Sequence, residues 1–112
     1  MDILCQTLPG DVMLMRLNGR LDATTSPQVR DTLQTLLEQD QPKIIIDLQD
    51  VPFIDSSGLA SLVSGLRMAR EKEGTIVLSA IQPQAQTVFR LTMLDRIFPI
   101  HPTYQDARQS LI

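Results

Sequence analysis

The sequence predicts an α/β fold, a single-domain mixed β-sheet with helices packed on it, and three observations carry that expectation. Ile44, Ile45, Ile46 and Leu48 form a short β-branched run of the kind that makes a strand buried on both faces. Leu59, Leu62, Val63 and Leu66 then recur at helical spacing, so a strand hands over to a helix. After an opening hairpin, strand-like and helix-like segments alternate to the end of the chain, the pattern of parallel crossovers. With 112 residues, of which 43% are apolar, the chain fits one domain spanning 1–112 with enough material for a core.

The elements follow in order. Ile3–Thr7 and Val12–Asn18 read as strands joined by the turn Leu8-Pro9-Gly10-Asp11. In the second strand both alternating sets, Val12/Leu14/Arg16 and Met13/Met15/Leu17, are largely apolar, which predicts a central or covered position. Ser26-Pro27 predicts a helix start, with Ser26 as the N-cap and Pro27 in the first turn, where its missing N–H costs nothing. Val29, Leu33, Leu36 and Leu37 mark its buried stripe, and Gln41-Pro42 closes it. A strand over 43–48 and a helix over 57–72 come next, the helix ending at Glu73-Gly74 with Gly74 offered as a left-handed cap. Thr75–Ser79 is the following strand. Pro83 starts a third helix carrying Ala85, Val88, Phe89 and Leu91, and Ile97–Ile100 reads as an edge strand, where Pro99 is tolerable. Thr103 and Asp106 have capping-box spacing ahead of a terminal helix with Ala107 and Leu111.

Composition narrows the function classes. The net charge of −3 argues against a nucleic-acid backbone as partner, since that calls for a basic face. The cations Arg67, Arg70 and Lys72 are interleaved with Glu71 and Glu73, as at a solvated helix end. No apolar run approaches the roughly 20 residues that cross a bilayer. Met1-Asp2 opens without a basic region or signal-peptide core, which predicts a cytoplasmic protein. Cys5, the single cysteine, has no internal disulfide partner and is expected to be a small buried hydrophobe. His101 is the single histidine, so neither a zinc cluster nor a Ser-His-Asp triad is supported, and no cofactor is expected. A Gly-x-Ser-x-Gly elbow, a Gly-x-x-x-x-Gly-Lys loop and a Gly-x-Gly-x-x-Gly turn are all absent. A receiver-type phosphoaspartate at Asp47 lacks a suitably placed lysine, because Lys43 and Lys72 are the only two. The inventory does not describe an enzyme.

Attention therefore falls on Asp55-Ser56-Ser57-Gly58, between the strand over 43–48 and the next helix. Unpaired backbone N–H groups and the positive end of the helix dipole lie there, a place that tolerates an anion, including one added to a serine. Ser56 has two readings, helix cap and phosphoacceptor, and they are compatible because Asp55 or Ser57 can cap instead. Ser57 is the alternative acceptor. Asp22 and Asp55 either assist phosphorylation or shape a docking surface, or else serve as turn and cap residues. Gly58 admits close approach by a partner or by a neighbouring loop. Ala60, Ser61, Ser64 and Gly65 form a small-residue helix face, either a docking strip or a close packing surface, with Met68 beside it as an adaptable contact.

The same residues carry a family resemblance. Ile44 to Leu48, followed by Phe53-Ile54-Asp55-Ser56-Ser57-Gly58-Leu59, resembles the signature of the STAS domain and, within it, of the bacterial anti-sigma-factor antagonists. Gly19-Arg20-Leu21-Asp22 is similar to the family's Gly-x-Leu-Asp after its second strand. Ala80-Ile81-Gln82-Pro83 through Leu94 to Phe98 resembles its last strand–helix unit. The resemblance implies a STAS-like domain that binds an anti-sigma factor, itself a serine protein kinase, while unphosphorylated. It further implies that phosphorylation of Ser56 releases that partner and that a serine phosphatase resets the switch. Partner contacts would come from Asp22, Asp55, Ser57, Gly58, Ala60, Ser61 and Ser64, without direct nucleic-acid contact or membrane insertion. Two positions depart from the family pattern: Arg20 stands where many relatives carry an acidic residue, and Met93 where many have a helix-ending glycine. Two other readings compete, a STAS interaction subunit docked without phosphorylation on the ATPase or transporter of a membrane transport complex, and a stand-alone nucleotide-binding domain.

Overall fold

A computed structural model describes all 112 residues. Five strands form one sheet in the order β1-β2-β3-β4-β5: β1 (Asp2–Leu8), β2 (Val12–Asn18), β3 (Lys43–Asp50), β4 (Thr75–Ser79) and β5 (Ile100–His101). The β1–β2 hairpin is antiparallel and every later pairing is parallel. The helices are α1 (Ser26–Leu36), α2 (Ser56–Glu71), α3 (Pro83–Leu91) and α4 (Tyr104–Leu111), with a short 3₁₀ turn at Leu94–Arg96.

The doubly apolar strands have a direct cause. Met15, Leu17, Ile44, Ile46, Leu48, Ile76 and Leu78 point to one face and join Val29, Leu33, Leu62, Leu66, Ala85 and Phe89 of α1–α3 in the main core. Val12, Leu14, Ile45 and Val77 point the other way and pack against Ala107, Tyr104 and Leu111 of α4. Each central strand therefore needs apolar residues at odd and even positions alike. Ile44, Ile45 and Ile46 are all fully buried, so trimming any one to valine should cost about 0.5–1.5 kcal/mol.

Several boundaries differ from the sequence expectation. Thr25, not Ser26, precedes the first helical residue of α1, and Ser26 is buried. α1 stops at Leu36, well before Pro42, and β3 runs on to Asp50. Gly74 is not the left-handed residue at the end of α2. Glu73 is, with φ 60°, and the Glu73 and Gly74 N–H groups donate to the Arg70 and Ala69 carbonyls. Gly74 is needed for another reason: a Cβ there would collide with the Pro42 carbonyl and ring. The last strand is only Ile100–His101, because Ile97 and Phe98 close the turn after Leu94 by donating to its carbonyl. Cys5 is exposed, not buried, since β1 is the edge strand with β2 as its single neighbour. What cover it has is partial, and desolvation pushes its thiol pKa up.

Candidate functional site

Asp55 is the N-cap of α2. It is extended (φ −107°, ψ −173°), and its Oδ1 accepts the Gly58 N–H at 3.0 Å. Ser56 is thereby the first helical residue, and its side chain is exposed, whereas Ser57 is half-buried. With the cap duty taken by Asp55, the Ser56 hydroxyl has no structural task. The Ser56 and Ser57 N–H groups lie in the first turn, where no intrahelical carbonyl reaches them.

The segment leading into Ser56 is held from two sides. On one side Leu21 bridges Ile54 in parallel fashion: the Leu21 N–H donates to the Phe53 carbonyl (3.0 Å) and the Asp55 N–H to the Leu21 carbonyl (3.2 Å). On the other side the amide of Gln84, in the first turn of α3, clamps Ile54. Its Oε1 accepts the Ile54 N–H at 3.0 Å and its Nε2 donates to the Ile54 carbonyl at 3.2 Å. Gln82 adds a bond from Nε2 to the Gln49 carbonyl at 2.6 Å. The loop before the serine thus has the bonding of a short strand without being one, which satisfies a buried backbone that would otherwise be costly.

Asp22 organises the facing loop. Its Oδ1 accepts the Thr24 hydroxyl (2.7 Å) and the N–H groups of Thr24 (3.0 Å) and Thr25 (3.3 Å). Thr25 reciprocates, its Oγ1 accepting the Asp22 N–H at 2.9 Å and donating to the Arg20 carbonyl at 2.7 Å. The Thr24 hydroxyl, followed by the backbone donors, holds the Asp22 carboxyl below the ordinary aspartate range against the opposing effect of desolvation. The turn role of Asp22 is therefore real, and its Oδ2 is left 3.9 Å from Arg20 Nε. Arg20 lies flat over the Phe53 ring, 4.1 Å from its centroid, with 62% of its side chain exposed. This surface consequently displays an ordered cation, held over a ring three residues before the serine.

The helix face divides in a way that helical spacing alone did not resolve. Ser61 does not belong to any docking strip: it is fully buried, and its hydroxyl donates to the Gly58 carbonyl at 2.7 Å. Gly58 is also buried, and the neighbour that approaches it is the chain's own loop. A Cβ there would sit 2.5 Å from the Leu21 carbonyl oxygen and 2.7 Å from Leu21 Cγ. Gly65 serves packing as well, facing Leu33 of α1 and Ile76 of β4. What remains outward is Ser56 and Ala60, exposed, with Ser57, Ser64 and Met68 half-buried.

Comparison with known proteins matches this chain to the STAS domain over residues 6–107. The chain belongs to the STAS family. This STAS protein is similar to the anti-sigma F factor antagonist of Paenibacillus polymyxa, at 28% identity over 101 residues, 89% of this chain and 86% of the relative. An anti-sigma-factor antagonist (STAS) domain protein from Planctomyces limnophilus superposes with a TM-score of 0.89 at 27% identity, covering 98% of this chain and 97% of that one. The phosphorylated form of SpoIIAA from Bacillus shares the fold, with a TM-score of 0.78 at 22% identity over 99% and 100% of the two chains. Anti-sigma factor antagonists are regulatory proteins and not enzymes.

No helix of this STAS domain is long and apolar enough to cross a membrane. The sequence assigns no role to Gln82, Gln84 or Phe53, which the structure places at the serine loop. A glutamine in the first turn of a helix carries no signal of its own. Only the proximity of α3 to the loop over 52–55 gives its amide a purpose.

Proposed function

We propose that this STAS protein is a phosphorylation-switched antagonist of an anti-sigma factor. In this reading the unphosphorylated surface around Ser56 docks on an anti-sigma factor that is also a serine kinase. The Ser56 hydroxyl attacks the γ-phosphorus of the kinase's ATP, a P–O bond forms to Ser56 Oγ, ADP leaves, and a base of the kinase takes the hydroxyl proton. A serine phosphatase returns the serine by hydrolysis. The single observation carrying this reading is the exposed, structurally unemployed Ser56 side chain at the mouth of α2, on a loop pinned from both sides.

Charge supplies the mechanism. Phosphorylation adds roughly −1.5 to −2 charges, on a chain whose net charge is −3. The amino end of a helix, equivalent to roughly +0.5 charge, accepts such a group within the fold. Asp55 stands next to it as a fixed carboxylate, so the local field becomes strongly negative. A partner surface fitted to a neutral hydroxyl would have to desolvate a dianion without a matching cation, which is costly. A shift of a few kcal/mol suffices, because each 1.4 kcal/mol changes affinity tenfold. Asp22, Asp55, Ser57, Ala60 and Ser64 make up the remaining docking surface in this proposal, with Arg20 as a cation at its border.

The test pairs chemistry with binding. Mass spectrometry of protein from its native host should place a phosphoryl group on Ser56 and find an anti-sigma factor copurifying. Ser56→Ala should hold that partner permanently and Ser56→Asp poorly. Equal affinity of wild type and both variants for the partner excludes the switch.

A further inference from the structure

On the sheet face covered by α4, the apolar residues stop short of the carboxyl ends of the strands. A row of four polar side chains takes over. The register sets Arg16 of β2 beside Asp47 of β3, Asp47 beside Ser79 of β4, and Ser79 beside His101 of β5. Arg16, Asp47 and Ser79 each lie two residues beyond Leu14, Ile45 and Val77, so they share the face that those residues present to α4. Asp47 is 3% exposed and Ser79 fully buried. Three atoms of the row, Arg16 Nε, Ser79 Oγ and His101 Nε2, are buried without a hydrogen-bond partner. Closing a core does not call for this; buried polar groups without partners cost free energy and ask for an explanation.

A cleft of about 430 Å³ lies over the Arg16–Asp47 end of the row, between the carboxyl ends of β2 and β3 and the start of α4, with Arg16, Asp47, Gln49, Tyr104 and Gln105 in its walls; Ser79 and His101 lie beyond its lining. Its size is within the range of small-molecule sites. The Arg16 guanidinium lies 4.5 Å from the Tyr104 ring centroid, which fixes its plane. Asp47 Oδ1 accepts the Gln49 N–H at 2.9 Å, while Oδ2 is 3.6 Å from Arg16 Nε. That second contact is ionic but longer than a hydrogen bond, so Oδ2 retains acceptor capacity. At the α4 end, Thr103 Oγ1 takes the Asp106 N–H at 3.1 Å. The Tyr104 and Gln105 N–H groups belong to the first turn and have no intrahelical acceptor.

The charges select the ligand class. One cation and one carboxylate stand side by side, and Asp106 lies exposed at the same helix end. A simple anion would be drawn by Arg16 and the helix amino end but repelled by Asp47 and Asp106. A simple cation would meet the reverse. A zwitterion matches both poles. We propose that this cleft binds a small α-amino acid, its carboxylate on Arg16 and the Tyr104 and Gln105 N–H groups, its ammonium on Asp47 Oδ2. The site lies on the opposite sheet face from α2, so it is separate from the Ser56 surface and does not rest on the phosphorylation reading.

The test is a ¹H–¹⁵N correlation titration of the whole protein with the standard L-amino acids, alongside acetate and methylammonium as half-ligands. At least one amino acid should give saturable shifts at the Ala80, Tyr104 and Gln105 amides and the Arg16 Nε–H, and bind about tenfold or more tightly than either half-ligand. Arg16→Gln should weaken that binding by a similar factor while resonances on the α2 face stay in place. The proposal is overturned if no amino acid gives saturable shifts there at millimolar concentration, if acetate binds as well as the best amino acid, or if Arg16→Gln, folded as judged by its spectrum, binds unchanged.

Discussion

The Leu21 carbonyl oxygen occupies the space that a side chain on residue 58 would need, 2.5 Å from the position of a Cβ on Gly58. The same carbonyl accepts the Asp55 N–H, so the loop over 20–22 cannot retreat without releasing the N-cap of α2. Gly58→Ala is therefore expected to destabilise the domain by about 1–3 kcal/mol, the usual cost of overpacking. Urea unfolding measures that loss. Amide exchange should locate it at Asp55 and Leu21, ahead of the rest of the sheet.

Gln84→Ala should loosen the other side of the same loop. Ile54 is 1% exposed, and the substitution strips both of its backbone groups of their partner. A loss of about 1–3 kcal/mol is expected, with accelerated hydrogen exchange at Ile54. Gln86→Ala, at an exposed neighbouring position, should change neither quantity.

Asp22 gives a pH dependence of known sign. Its folded-state pKa is depressed, chiefly by the Thr24 hydroxyl. A depressed carboxylate stabilises the fold at pH values above its unfolded pKa of about 4. That contribution is lost as the pH falls from there through the lower folded value. Thr24→Val removes the largest cause, so the Asp22 titration, followed by NMR of its side-chain carboxyl, should move upward. An unchanged midpoint in that variant contradicts the assignment.

Met93 holds a left-handed backbone (φ 60°, ψ 17°) at the end of α3, with its N–H donating to the Arg90 carbonyl, and 59% of the residue is exposed. Left-handed geometry costs an L-residue about 1–2 kcal/mol, while glycine gives back part of that through its freer unfolded state. Met93→Gly should therefore stabilise the protein by roughly 0.5–1 kcal/mol, read as a rise of a few degrees in Tm.

Much of the fold was legible because it is written in local pattern. The Ile44–Ile46 run, the stripe from Leu59 to Leu66 and the alternation after the hairpin specify the sheet and the helices that cover it. Of the site, the sequence exposed Ser56 and its helix mouth, since Asp-Ser-Ser-Gly between an apolar strand and an amphipathic helix is a local signal. It could not tell Ser61 from Ser64. Both belong to a small-residue face, and only the packing of α2 on α1 and β4 turns one inward. Cys5 was misjudged because strand character says nothing about position in the sheet, and an edge strand lacks the second neighbour that would cover it. The Gln84 clamp and the Arg16-to-His101 row were invisible for the same reason, since each joins residues that only tertiary pairing brings together.

The two-sided fastening of Ile54 bears on how fast a neighbour can be captured and let go. A recognition surface already frozen in its working shape surrenders little disorder when it meets its counterpart, so encounter should be limited by diffusion and orientation and not by loop rearrangement. In the proposed switch, turning such a surface on and off then falls to its electrostatics, and regulation should register mainly in the lifetime of the complex.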